Sequence, residues 1–148
     1  MSFTLYRAIT LVTTLTAALL TASVLANGQA YLTFHMGAGG NNQFFVGGTV
    51  ENRGDAPIAR AYVSILPVTE RCELLPMAWQ EFGPIEAHGK MEFRVPVNSA
   101  LTHYRLAGFA AFDDMGFALP SVDETADIIK ARELNERQVC QTKRKQPQ

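Results

Sequence analysis

The sequence predicts an antiparallel β-sandwich followed by one C-terminal α-helix. Within residues 44–66, two segments of alternating apolar and polar side chains flank a polar turn, as expected for two strands that each bury one face. Similar segments recur from residue 30 to residue 119, with turn residues between them at the spacing of a sandwich. After Pro120 the apolar residues recur at helical spacing. We therefore expect a mainly β domain of about seven strands with a helix at its end.

The N-terminal segment, residues 1–26, has the order of a secretory signal peptide. Arg7 is its only charged residue, an apolar run follows, and the segment ends in Val24-Leu25-Ala26, which suits cleavage after Ala26. The alternative is a membrane anchor formed by the uncharged run. The residue directly after the cleavage point is Asn27 rather than Cys, so we expect no lipid anchor, and cleavage would leave no stable membrane anchor. This predicts a periplasmic or secreted protein.

Length and charge limit what remains after cleavage. A chain of 148 residues with this leader has room for one further domain, which we place at residues 27–140, with a disordered basic tail at residues 141–148. The formal net charge is −1, and no basic stripe of the kind that binds nucleic acid is present. We therefore expect no nucleic-acid partner.

The first predicted strand covers residues 30–36. Leu32, Phe34 and Met36 share one face, and His35 lies on the other. Glycine and asparagine dominate residues 37–43, which predicts a flexible hairpin loop. The glycine spacing in this loop matches no phosphate-binding motif.

The central strand pair is predicted at residues 44–51 and 60–66, joined by a turn rich in Asn, Gly, Asp and Pro at residues 52–57. Two prolines favour an edge strand near residues 75–82, and residues 91–97 alternate cleanly. In residues 104–112, Tyr104, Leu106 and Gly108 are predicted to share a face with Ala110 and Phe112.

The C-terminal helix is predicted from about residue 121 to residue 139. Ser121 and Glu124 have the spacing of a capping box. An apolar stripe is expected to pack on the sandwich; it comprises Val122, Ala126, Ile128, Ile129 and Leu134.

Two cysteines, Cys72 and Cys140, fall in the exported part of the chain. An oxidising compartment favours one disulfide between them, and the alternative is two buried free thiols. A bridge would close a loop of about 70 residues and stabilise the fold by up to roughly 4 kcal/mol.

Two chemical functions are alternatives to a binding role. A copper carrier would use soft and imidazole ligands, for which His35, His88 and Met91 are the candidates. An enzyme of unrecognised type is the other alternative, but the sequence contains no recognised catalytic motif. We therefore expect no catalytic residue, no metal site and no cofactor.

Apolar residues between Pro67 and Phe82 are the better candidate for a function. Leu74, Leu75, Met77 and Trp79 are held near Cys72 and restricted by two prolines, so ordering them on binding would cost little entropy. We predict that they form a partner-binding patch centred on Trp79. The alternative is that Trp79 fills the edge of the sandwich beneath the helix.

One family resemblance rests on a strand-and-turn pattern and on the entry to a later strand. The chain resembles the FxLYD-type and related immunoglobulin-like domains of bacterial envelope proteins. The matching residues are Gly48, Val50, Asn52, Gly54, Asp55, Ile85, Gly89, Phe93 and Val95.

This resemblance implies an immunoglobulin-like sandwich that serves as a recognition or spacer module rather than an enzyme. We expect a non-enzymatic module that binds another envelope or secreted protein, as an inhibitor, an immunity protein or an assembly accessory.

Overall fold

The computed structural model describes residues 26–145, which form two four-stranded sheets and one helix. All of the predicted signal peptide except Ala26 lies outside these residues. The elements in chain order are β1 (Ala30–Gly40), β2 (Gln43–Asn52), β3 (Arg60–Val68), β4 (Ala78–Phe82), β5 (Lys90–Val97), β6 (His103–Phe112), β7 (Ala118–Leu119), β8 (Ser121–Asp123) and α1 (Ala126–Lys145).

The two sheets pack face to face, with strand orders β5-β2-β1-β8 and β4-β3-β6-β7. Neighbouring strands are antiparallel except for β1 and β8, which run parallel. The core between the sheets is aliphatic and includes Leu32, Val46, Val50, Val63, Ile65 and Val95. The predicted mainly β sandwich with a C-terminal helix is confirmed.

The β1–β2 connection is tighter than the sequence suggested. Asn41 and Asn42 both have positive φ, at 52° and 61°, as in a two-residue type I′ turn. Residues 37–40 pair with residues 43–46 across it. The flexible loop predicted at residues 37–43 is therefore wrong, because most of it belongs to the hairpin ladder.

A β-bulge in β1 reverses the face on which its side chains lie. Leu32 pairs with Val50, but Phe34 pairs with Thr49, so Thr33 is an extra residue. One extra residue moves every later side chain to the opposite face. Phe34 and Met36 are consequently exposed and His35 is buried, so the predicted face assignment of this strand is wrong after residue 32.

A second bulge does the same in β6. Ser64 pairs with Gly108 while Ile65 pairs with Leu106, which leaves Ala107 unpaired. Leu106 and Tyr104 therefore pack against the core with Phe109. The predicted grouping of Tyr104 and Leu106 with Gly108, Ala110 and Phe112 on one face is wrong.

The chain between β7 and α1 also differs from the prediction. Ser121 belongs to β8, where its hydroxyl donates to the Leu119 carbonyl and accepts from the Ala111 N–H, both at 3.1 Å. The predicted capping box is therefore wrong. Asp123 Oδ1 accepts instead from the Thr125 N–H at 2.8 Å. The helix begins at Ala126 and continues to Lys145, so residues 141–145, predicted as disordered tail, are helical.

Helix α1 makes few apolar contacts. Of the five residues of the predicted stripe only Ile129 is half-buried. The other four are exposed, so their predicted burial is wrong: Val122, Ala126, Ile128 and Leu134. The predicted Cys72–Cys140 disulfide is confirmed, with the Cα atoms 5.8 Å apart. The helix is therefore attached to the sandwich at a few points, including this disulfide, rather than along a continuous apolar face.

Within residues 26–145, no helix is both long enough and apolar enough to cross a membrane.

Candidate functional site

Three aromatic side chains from adjacent strands lie on the outer face of the sheet β4-β3-β6-β7. The ring centroids of Trp79 and Tyr62 are 6.2 Å apart, and those of Tyr62 and Phe112 are 5.7 Å apart in an edge-to-face arrangement. The strand register produces this row, since Trp79 is paired with Ser64, two residues beyond Tyr62, on the same face. We call these three residues the aromatic row.

Trp79 is 58% exposed. The alternative in which Trp79 fills the edge of the sandwich beneath the helix is therefore wrong. Tyr62 is half-buried between its aromatic neighbours, and its hydroxyl donates to Glu81 Oε2 at 2.7 Å. The row is thus a solvent-facing surface whose centre is fixed by a hydrogen bond.

The predicted partner-binding residues lie at one end of the aromatic row. Leu75, Met77 and Trp79 line one groove of about 340 Å³, together with Pro96 and Val97 of β5. Leu74 is exposed outside that groove. The structure thus brings three of the four predicted residues together.

Backbone contacts hold the segment that leads into this groove. Thr69 accepts from the Cys72 N–H at 2.9 Å and donates its own N–H to Glu73 at 3.0 Å. The Leu75 N–H bonds to the Pro67 carbonyl at 2.9 Å. Since the disulfide also fixes Cys72, the groove is largely preorganised.

The sequence reasoning missed Phe112 as a member of the aromatic row. Phe112 pairs with Arg60 of β3, whose outward face also carries Tyr62. Phe109 and Ala111 face the core. Since side chains alternate along a strand, these two residues alone would have predicted that Phe112 faces outward. The bulge at Ala107 concealed that signal by mixing the two faces of β6.

A buried polar cluster lies between the sheets and α1. His35 is 4% exposed; its Nδ1 is 2.7 Å from the Tyr104 hydroxyl, and its Nε2 is 2.7 Å from Thr125 Oγ1. The Thr125 hydroxyl in turn donates to Asp123 Oδ1 at 2.6 Å. The two bulges make this cluster possible, because one turns His35 inward and the other turns Tyr104 inward.

The proton positions follow from the chemistry of the partners. The ionised Asp123 carboxylate only accepts, so the Thr125 hydroxyl donates to it and accepts from His35 Nε2–H. Nδ1 of the neutral ring then accepts from the Tyr104 hydroxyl. Burial lowers the pKa of His35, and Asp123 opposes this effect. Burial also raises the pKa of Tyr104 to about 12. Both groups are therefore neutral near pH 7.

Tyr104 separates His35 from a cavity of about 440 Å³ beneath α1. The lining mixes apolar groups with charged residues of the helix, and includes Phe44, Leu101, Ile129, Arg132 and Glu136. Arg105 Nη2 donates to the buried Glu136 carboxylate at 2.9 Å. Because both ring nitrogens of His35 are engaged, the cluster tethers the start of α1 rather than presenting a free base.

The three residues considered for copper lie in different settings. His35 has hydroxyl partners on both nitrogens. His88 lies in an exposed turn, where its Nε2 is 3.0 Å from Asp55 Oδ1. Met91 pairs with Val50 and packs against the core. Over residues 26–145, no three His, Cys, Asp or Glu side chains group closely enough to hold one metal ion.

Comparisons with known proteins gave one structural similarity. No protein-family model matches the chain, and no curated protein matches it. A solved structure described as the structural characterization of IrmA from Escherichia coli is similar, with a TM-score of 0.42 and 7% sequence identity over 64% of this chain and 83% of that chain.

Proposed function

We propose that this chain is an exported, non-enzymatic module that binds another envelope or secreted protein through its aromatic row. The exposure of Trp79 beside Tyr62 and Phe112 carries the proposal. Tryptophan and tyrosine are the side chains most often found at the energetic centre of protein interfaces. This face has the composition of such a centre.

The geometry of the row favours binding over a structural role. Its side chains project from paired strands, so little conformational entropy remains to be lost on association. Glu81 and Arg60 flank the rings, giving an apolar centre with a charged rim, as in many protein interfaces. The row therefore suits a partner with a complementary apolar patch.

Other features support export and a role in recognition. The signal-peptide pattern of residues 1–26 and the Cys72–Cys140 disulfide suit export to the periplasm or beyond. The resemblance to FxLYD-type domains supports a recognition module. An inhibitor, an immunity protein and an assembly accessory all fit this proposal.

Substitution of Trp79 tests the proposal. The Trp79→Ala protein should lose the partner that the parent protein captures from an envelope extract, while its melting temperature stays within about 2 °C, because an exposed side chain contributes little to folding. Capture analysed by mass spectrometry, with a parallel thermal melt, gives both readouts.

Phe34→Ala is the matched control, since Phe34 is an aromatic residue of similar exposure on the other sheet. This variant should keep the partner. Equal capture by the parent protein and the Trp79 variant would refute the proposed interface, and a large drop in melting temperature for the Trp79 variant would make Trp79 a structural residue.

A further inference from the structure

The four strands at the sheet edges differ in how well they are protected against pairing with another chain. β4 and β7 form the edges of one sheet, and β5 and β8 those of the other. Edge strands leave alternate N–H and C=O groups unpaired, which makes them templates for a further strand. Short length, charged side chains and proline are the common protections.

Three of the edges carry such protection. β7 has two residues and β8 has three, too few for a stable added strand. β5 exposes Lys90, Glu92 and Arg94 in alternation, and Pro96 near its end has no N–H to donate. These edges disfavour an added strand.

β4 (Ala78–Phe82) has no proline and a single charged residue, Glu81, and its first two residues, Ala78 and Trp79, line the apolar groove. From this contrast we propose that β4 accepts an extended segment of the partner protein as an additional strand. The proposal rests on the proposed function and specifies how the partner binds. Main-chain hydrogen bonds would supply part of the affinity, and side-chain pockets would supply the specificity.

The outer face of β4 indicates the side chains that such a segment would carry. Trp79 and Glu81 project outward, two residues apart. A residue directly opposite on an added strand lies about 5 Å away. An apolar side chain would therefore pack on Trp79, and a Lys or Arg two positions away would pair with Glu81. Side chains on the opposite face of the segment would reach the groove between Met77 and Pro96.

The single tryptophan of the chain makes the test direct. A displayed library of random nine-residue linear peptides would be selected on the full protein, with counter-selection on the Trp79→Ala/Glu81→Lys protein. Enriched peptides should carry Lys or Arg two positions from an apolar residue. As synthetic peptides, they should shift the emission of Trp79 on titration.

Two paired controls separate strand addition from other binding. Two versions of each selected peptide are made. One is N-methylated on the backbone at every second residue, and the other is N-methylated at the remaining residues. One version should bind at least tenfold more weakly while the other binds as the parent peptide does, because an added strand directs only alternate N–H groups to its neighbour. The Glu81→Lys protein should bind a Lys-containing peptide at least tenfold more weakly than the parent protein does. The same variant should bind the peptide more tightly when Glu replaces its Lys.

Two results would overturn strand addition at β4: no peptide enriched over the counter-selection, or full binding by both methylated versions. The capture experiment with Trp79→Ala is independent of these results. Continued loss of the natural partner in that variant, alongside failed peptide selection, would leave the proposed function standing and remove only the binding mode.

Discussion

Asn52 and His35 are buried polar side chains toward opposite ends of the sandwich, and their hydrogen bonds are satisfied in different ways. Asn52 Nδ2 donates to the Ala56, Ile85 and Glu86 carbonyls at 2.8, 3.1 and 3.0 Å. Its Oδ1 accepts from the N–H groups of Gln29 and Gly54. His35 bonds only to side-chain hydroxyls, one of them on the residue that precedes α1.

The two sets of partners differ in how freely they can rearrange without unfolding of the domain. The partners of Asn52 are main-chain groups of three converging segments, so they cannot rotate to other partners when the amide is removed. The hydroxyls of Tyr104 and Thr125 can rotate, and Thr125 directly precedes a helix that makes few apolar contacts. We therefore expect the Asn52 end to be rigid and the His35 end to be adjustable.

Asn52→Ala should give the largest loss of stability. Several buried main-chain groups would lose their partners, and each stranded group costs about 1–3 kcal/mol, so we expect the free energy of unfolding to fall by about 4 kcal/mol. Urea denaturation provides the measurement. Asn98→Ala, at an exposed position, should change it by less than about 0.5 kcal/mol. A small effect for Asn52→Ala would show that this end also relaxes.

Removal of the disulfide should act on the opposite end. In the Cys72→Ser/Cys140→Ser protein we expect a loss of about 3 kcal/mol, because the unfolded chain regains entropy. Hydrogen exchange should accelerate at Ile129 and other amides of α1, while the Asn52 N–H, which bonds to the Gly89 carbonyl, keeps its relative protection. Uniform acceleration at both ends would mean that α1 and the sandwich unfold as one unit.

His35→Gln should cost about 2 kcal/mol, less than Asn52→Ala, since the hydroxyls of Tyr104 and Thr125 lose a partner but can reorient. Urea denaturation at pH 7.5 measures the loss. The change in hydrogen exchange should be confined to α1 and the residues beside it. A loss that equals or exceeds that of Asn52→Ala would contradict the distinction between the two ends.

The smallest expected effect is a dependence on pH. Burial lowers the pKa of His35 in the folded protein, so below the unfolded value of about 6.5 the unfolded chain binds the proton more readily. The stabilising contribution of His35 is therefore present above pH 6.5 and is lost as the pH falls from there toward the pKa of His35 in the folded protein. The stability difference between the parent protein and His35→Gln should shrink between pH 7.5 and pH 5. The loss from Asn52→Ala, which involves no ionisable side chain, should stay constant over that range.

For the candidate site, the sequence located Met77 and Trp79 through the prolines and the cysteine around them, and their exposure agrees with a surface role. Their part in recognition is still a prediction. The full aromatic row was not predictable, because the face on which Phe112 lies depends on the pairing of β3 with β6.

Features that arise from local chemistry were predictable from the order of the residues. Alternation in residues 44–51 and 60–66 specified two strands, and the Asn-Gly-Asp-Pro composition specified their turn. Cys72 and Cys140, which follow a predicted signal peptide, specified a disulfide. Each of these depends on side-chain preference or on compartment, both of which can be read along the chain.

The positions of the two bulges, in contrast, depend on how the strands pair and pack in the folded domain. A bulge adds one residue to a strand without any necessary change of composition, because the partner strand and the core select its position. Thr33 and Ala107 are ordinary strand residues in the sequence. The bulges at these residues nevertheless bring His35 Nδ1 to 2.7 Å from the Tyr104 hydroxyl. The polar cluster beside α1 thus follows from packing between the sheets.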